Sequence, residues 1–212
     1  MRLIGKRPSE KNPNWCASCF TFMSRHHGGP EIEVTMLFAD VRGSTALAEG
    51  MRPADFRRLM DAFYDTAGAT VFEYDGVVDK FVGDELVAMF FPLLSGRRHA
   101  ARGIEAARAL LKATGHLDPD GPWVPLGAGV HTGTAWVGAV GSGTRTELTA
   151  LGDAVNTTAR LASEAKTGEI LVTSDAAAAA GLDSNVPRRR LQLRGKREPS
   201  EVMTLTVSPA LD

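Results

Sequence analysis

Two apolar, β-branched runs, each broken by an aspartate beside a glycine, limit what this chain can fold into more than any other feature. The first is Thr35-Met36-Leu37-Phe38-Ala39-Asp40-Val41-Arg42-Gly43, and the second is Val78-Asp79-Lys80-Phe81-Val82-Gly83-Asp84-Glu85-Leu86-Val87-Ala88-Met89-Phe90. Such runs fit a pleated, covered surface, and a Gly-Asp pair between two of them marks a hairpin turn. The fold must therefore bury both runs while leaving Asp40 and Asp84 at exposed strand ends. Two carboxylates held this way are the minimum protein contribution to a two-metal phosphoryl-transfer site.

Around these runs the periodicity switches irregularly between strand and helix. Residues 33–41 read as a buried strand. Ser44 or Thr45 is placed to cap a short helix. Pro53 suits the first turn of a longer one reaching about Tyr74, whose Phe56, Leu59, Met60, Phe63 and Ala67 recur at helical spacing. Asp75-Gly76 opens the hairpin 77–82 and 85–91. A helix over about 98–115 turns Ile104, Ala107, Leu110 and Leu111 inward, with Gly115 as its stop. The glycines of Gly129-Val130-His131-Thr132-Gly133-Thr134 predict a second hairpin, with strands 124–131 and 135–141. His131, just before that turn, reads as a packed or hydrogen-bonded residue rather than a catalytic one. A helix over 153–165, a strand over 169–173, an alanine-rich helix near 175–180 and strands near 188–194 and 200–207 complete the chain. This order indicates an α+β fold with helices against a mixed sheet. Residues 1–31, rich in proline and lysine and ending near Gly28-Gly29-Pro30, read as an extension to a single domain over 32–208.

Bulk properties exclude several partners. A formal net charge of -1 over 212 residues gives no electrostatic footprint for nucleic acid. No apolar run approaches the ~18 residues needed to span a bilayer, and the first residues lack the apolar stretch of a secretory signal. The expected location is cytoplasmic. The two cysteines, Cys16 and Cys19, form no disulfide framework. With His26 and His27 they leave three readings open: a zinc site, a redox pair, or a plain reduced pair in the arm.

Two further segments go beyond architecture. In Leu148-Thr149-Ala150-Leu151-Gly152-Asp153-Ala154-Val155-Asn156-Thr157-Thr158-Ala159-Arg160-Leu161, Gly152-Asp153 starts a helix on which Asn156 and Arg160, four apart, share one face. An amide and a guanidinium near a helix N-terminus suit an oxyanion such as a phosphate. Leu193-Arg194-Gly195-Lys196-Arg197 adds cations between two strands. Taken singly, each of these residues is an ordinary turn, cap, strand or helix-surface residue. Their joint occurrence, in order and at these spacings, is not ordinary.

Together the four segments resemble the class III adenylyl and guanylyl cyclases, over roughly residues 33–207. The resemblance implies a ferredoxin-like mixed β-sheet flanked by helices, and conversion of ATP to 3′,5′-cyclic AMP and pyrophosphate. It implies that Asp40 and Asp84, with the backbone carbonyl of Val41 as a lesser ligand, bind two Mg²⁺ or Mn²⁺ ions per active site. Lys80 matches the base-recognising lysine. Thr149 occupies the second base-recognising position, where many members carry aspartate and a bacterial subgroup carries threonine. Asn156 matches the ribose-orienting residue and Arg160 the arginine that stabilises the transition state. Arg194 falls where the family has a triphosphate-binding lysine, and Lys196 is placed to share that work. The family divides these roles between two protomers, which implies a homodimer with two composite sites. Leu148, where many relatives have an aromatic residue, and the extra charge of Glu85 depart from the commoner pattern without removing a catalytic group. Alternative readings are a guanylyl cyclase and a non-catalytic cyclase-like dimerisation or regulatory module. Regulation is expected to enter through the extension, a partner or expression.

Overall fold

In a computed structural model of the chain, the residues described are 9, 13, 17, 18, 21, 28–141, 147–183, 185–193 and 198–207. Cys16, Cys19, His26 and His27 lie outside them, as do Arg194 and Lys196. The elements run β1 (Glu31–Val41), α1 (Ser44–Gly50), α2 (Pro53–Glu73), β2 (Val77–Val82), β3 (Glu85–Phe90), α3 (Pro92–Ser95) with a short 3₁₀ turn after it, α4 (His99–Ala113), β4 (Leu126–Val140), β5 (Glu147–Leu151), α5 (Asp153–Glu164), β6 (Glu169–Thr173), α6 (Ser174–Ala180), β7 (Arg188–Leu191) and β8 (Ser200–Thr206).

The sheet follows the order β2-β3-β1-β4-β6-β8-β7, with β5 also paired to β4. Neighbours are antiparallel except β4 and β6. β1 is apolar almost throughout because it is covered on both faces. Leu37, Ala39 and Val41 join a core with Met60, Phe63, Ala67 and Val71 of α2, Ile104, Ala107, Leu110 and Leu111 of α4, and Ala176 and Ala177 of α6. Val34, Met36 and Phe38 point the other way, into a second core with Ala154 and Ala162 of α5, Ala135 and Val137 of β4, and Ala150 of β5. This is the α+β architecture of helices flanking a mixed sheet. No helix among the described residues is long and apolar enough to cross a membrane.

The expected hairpin at residues 132–134 does not form. β4 is one unbroken 15-residue strand, paired with β1 from Glu31↔Trp136 to Val41↔Leu126. Its glycines mark close approach rather than a turn. A Cβ at Gly129 would stand 2.6 Å from the Ala162 nitrogen and from Leu161 Cβ, and one at Gly127 would stand 2.6 Å from the Ala165 carbonyl oxygen. These glycines let α5 lie directly on the strand. The real hairpin partner is β5, beyond residue 141. His131 is buried, and its Nδ1 shares a hydrogen bond of 2.9 Å with Thr173 Oγ1.

A stability prediction follows from the crowding. In an uncrowded strand, glycine-to-alanine stabilises through the unfolded state. At Gly129 the nearest obstacles include backbone atoms of α5, so Gly129→Ala is expected to destabilise the fold by roughly 1–3 kcal/mol. Urea unfolding with an unchanged m-value measures it, and a neutral or stabilised variant would contradict this packing.

Candidate active site

The two aspartates are brought together by strand pairing. Asp40 is the penultimate residue of β1 and lies opposite Glu85 in the register with β3. Asp84 occupies the turn before β3, and its carbonyl accepts a hydrogen bond of 3.2 Å from the Val41 amide. Gly83, at φ 61°, supplies the positive φ that the first position of this two-residue turn uses. The Tyr64 hydroxyl donates to the Gly83 carbonyl, and its ring stacks on Phe81 at 4.3 Å, so α2 pins the turn. Burial, then the charge of Asp84, raises the Tyr64 pKa. Val41, the last residue of β1, is buried.

Arg42 fastens this corner to α5. Its guanidinium forms an ion pair with Asp40 and donates at 3.0 Å to the Ser163 carbonyl, in the last turn of the helix. A cation there complements the negative end of the helix dipole. Burial lowers the Arg42 pKa, opposed by the charges of Asp84 and Glu85. Glu85 is pushed up to about 6 by burial and by Asp84, with Arg42 acting against the rise. Asp40, Asp84 and Glu85 thus all stand near one guanidinium, that of Arg42. Among the described residues, no group of three or more His, Cys, Asp or Glu side chains gathers as a metal cage. Two carboxylates suit an ion such as Mg²⁺, which takes one or two protein ligands and completes its shell with water and substrate phosphates.

A second polar cluster joins Lys80 and Thr149. The register between β2 and β3 shifts between Val78 and Lys80, so Asp79 is the extra residue of a bulge. A bulge breaks strand alternation and re-aims side chains. Both Asp79 and Lys80 consequently reach β5. The Thr149 hydroxyl donates to Asp79 Oδ2 at 2.7 Å, and Lys80 Nζ donates to Glu147 Oε2 at 3.0 Å while lying 3.9 Å from Asp79 Oδ2. In a flat sheet β5 would lie four strand spacings from β2, about 19 Å. The Asp79–Thr149 contact therefore requires the β4–β5 hairpin to curl over the face of β1, β2 and β3. Asp79 and Thr149 are buried, whereas Glu147 is exposed. An exposed ion pair is worth about 0–1 kcal/mol, so Glu147 holds Lys80 only weakly.

Asn156 and Arg160 share one face of α5, Asn156 exposed and Arg160 half-buried. Among the described residues, neither side chain has a hydrogen bond or ion pair, and none ties them to Asp40, Asp84, Lys80 or Thr149. Two exposed apolar residues flank these regions: Val82 beside the Asp84 turn and Leu151 just before α5. The sequence reading overlooked Arg42, Tyr64, Asp79 and Glu147. For Asp79 the sequence offered one signal, a second charged residue beside Lys80 within an otherwise apolar run.

The family model for the adenylate and guanylate cyclase catalytic domain matches residues 29–207. Among curated proteins, Adenylate cyclase 1 of Rhizobium meliloti is 32% identical over 151 residues, which is 65% of this chain and 22% of that protein. The adenylate cyclase of Anabaena cylindrica is 31% identical over 137 residues, 60% of this chain and 26% of its own length. The chain thus spans about a quarter of these relatives. Among solved structures, the guanylyl cyclase Cya2 superposes with a TM-score of 0.77 at 26% identity, covering 84% of this chain and 93% of that one. The adenylyl cyclase CyaB from P. aeruginosa gives 0.76 at 23%, covering 85% and 97%. With the matched segment spanning every element from β1 to β8, the chain belongs to the adenylate and guanylate cyclase catalytic domain family.

Proposed function

We propose that the protein is an adenylyl cyclase that converts ATP to 3′,5′-cyclic AMP and pyrophosphate at sites shared between two copies of the chain. The observation that carries this reading is the meeting of Lys80 and Thr149, 69 residues apart in sequence, in one cluster around Asp79. That cluster offers a nucleobase a donor from the Lys80 ammonium and a hydroxyl from Thr149. Lys80 donates to adenine N1, and Thr149 meets the N6 amino group. Asn156 orients the ribose, and Arg160 donates to the α-phosphoryl oxygens as charge builds on them. Arg194 and Lys196 bind the triphosphate. The ribose 3′-oxygen bonds to the α-phosphorus, the bond to the β-phosphate bridging oxygen breaks, pyrophosphate leaves and the hydroxyl proton passes to solvent.

Asp40, Asp84 and the Val41 carbonyl would hold two Mg²⁺ or Mn²⁺ ions, whose charge would lower the pKa of the 3′-hydroxyl and neutralise the triphosphate. Division between two subunits is supported by the side chains of Asn156 and Arg160, which have no polar partner among the described residues, and by the exposed apolar Val82 and Leu151 beside each half-site. Each homodimer then carries two composite sites.

The guanylyl cyclase reading draws on the fold similarity to Cya2, and product identity decides between the two. With equal ATP and GTP and Mn²⁺, cyclic AMP is expected as the main product. EDTA should abolish its formation and excess Mn²⁺ should restore it. Cyclic GMP as the main product would overturn the adenine assignment. Nucleotide binding with no cyclic product would favour the non-catalytic module.

A further inference from the structure

Thr149 alone discriminates poorly between bases, because a free hydroxyl can donate or accept. In this structure it is not free to do both. Its single proton is directed at Asp79 Oδ2, 2.7 Å away, and a carboxylate oxygen accepts. Both residues are buried, with the Asp79 side chain 5% exposed, so bulk water does not readily substitute as the hydroxyl's partner. Any further group that bonds to Thr149 Oγ1 must therefore be a donor. Lys80, 3.9 Å from the same carboxylate, is a donor itself. The cluster thus presents an acceptor beside a donor. Adenine presents the complement, an exocyclic amino donor beside the N1 acceptor. Guanine presents the reverse, with O6 as acceptor beside a protonated N1. A wrongly matched pair leaves buried polar groups unpaired, which is what makes hydrogen-bonded sites selective.

We propose that Asp79 is the positioning residue for base selection: it fixes the Thr149 hydroxyl as an acceptor toward the ligand and so sets the preference for ATP over GTP. This rests on the reading of Lys80 and Thr149 as the base-binding pair. The bulge at Asp79 serves the same end, because ordinary alternation would turn Asp79 and Lys80 to opposite faces.

The test is Asp79→Asn, whose amide can donate to Thr149 Oγ1 and reverse the hydroxyl. The ATP-to-GTP ratio of kcat/KM is expected to fall roughly tenfold, the scale of one mispaired hydrogen bond. The loss should lie in KM for ATP, with kcat changed much less. In a Thr149→Val background, Asp79→Asn should leave the ratio where Thr149→Val alone puts it. Equal losses for ATP and GTP would overturn the proposal, as would a ratio change of the same size without the Thr149 hydroxyl. If Asp79→Asn fails to fold, Thr149→Val alone must lower the ratio, and an unchanged ratio overturns the proposal. Competition of ATP and GTP for a fluorescent nucleotide, in the wild type and both variants, gives the same comparison without turnover. A wild type that binds nucleotide but makes no cyclic product thus ends the cyclase reading, while the binding ratios still decide the role of Asp79.

Discussion

Asp84→Asn protein is expected to fold like the wild type and to form cyclic AMP at least ~10³-fold more slowly, a loss of roughly 4 kcal/mol of transition-state stabilisation. The fold should tolerate the change because, among the described residues, the Asp84 carboxylate has no hydrogen bond or ion pair. What ties the turn down is its backbone carbonyl, which accepts from the Val41 amide, and the Tyr64 contact to Gly83. Asparagine keeps the shape and removes the charge that a divalent cation needs. Asp40 is a less clean target, since its carboxylate also holds Arg42, and Arg42 holds the end of α5. The check is kcat with saturating Mn²⁺ alongside the thermal midpoint. Near-normal turnover at ordinary Mn²⁺ concentration would remove Asp84 from the metal site.

Arg160→Ala is expected to lower kcat by ~10²–10³-fold while changing KM for ATP only a few-fold. The guanidinium is assigned to charge that develops at the α-phosphorus, so its loss should appear in the transition state more than in binding. Its side chain has no polar partner among the described residues, so stability should change little. Arg160→Lys should recover part of the loss, since it keeps the charge without the planar fork. A large rise in KM with kcat intact would instead make Arg160 a ground-state triphosphate ligand.

The sequence made the fold legible wherever periodicity was strong and local. The alternation of Leu37, Ala39 and Val41 against Val34, Met36 and Phe38, the helical spacing from Phe56 to Ala67, and the strand 169–173 each correspond to an observed element. The hairpin expected at Thr132-Gly133 failed for a non-local reason. Gly127 and Gly129 answer to α5, more than 20 residues further along, and a glycine needed for close approach looks like a glycine needed for a turn. β5 was missed as an element, although Thr149 was singled out within it. The roles of Asp79 and Glu147 depend on the bulge in β2 and on the curl of the β4–β5 hairpin, neither of which short-range pattern encodes. The positions of Asp40 and Asp84 were legible from local pattern, while the supporting Arg42 and Tyr64 became visible only through tertiary contacts.

In the proposed function each active site is assembled from two copies of this chain. Asp84→Asn and Arg160→Ala impair opposite halves, so each purified alone should be nearly inactive. After subunit exchange of equal amounts, half the dimers should be mixed, each with one intact site, which gives about a quarter of wild-type activity. Recovery to that level is the result the composite site predicts. Activity that stays at the level of the separate variants, with subunit exchange verified by differently tagged copies, would contradict it.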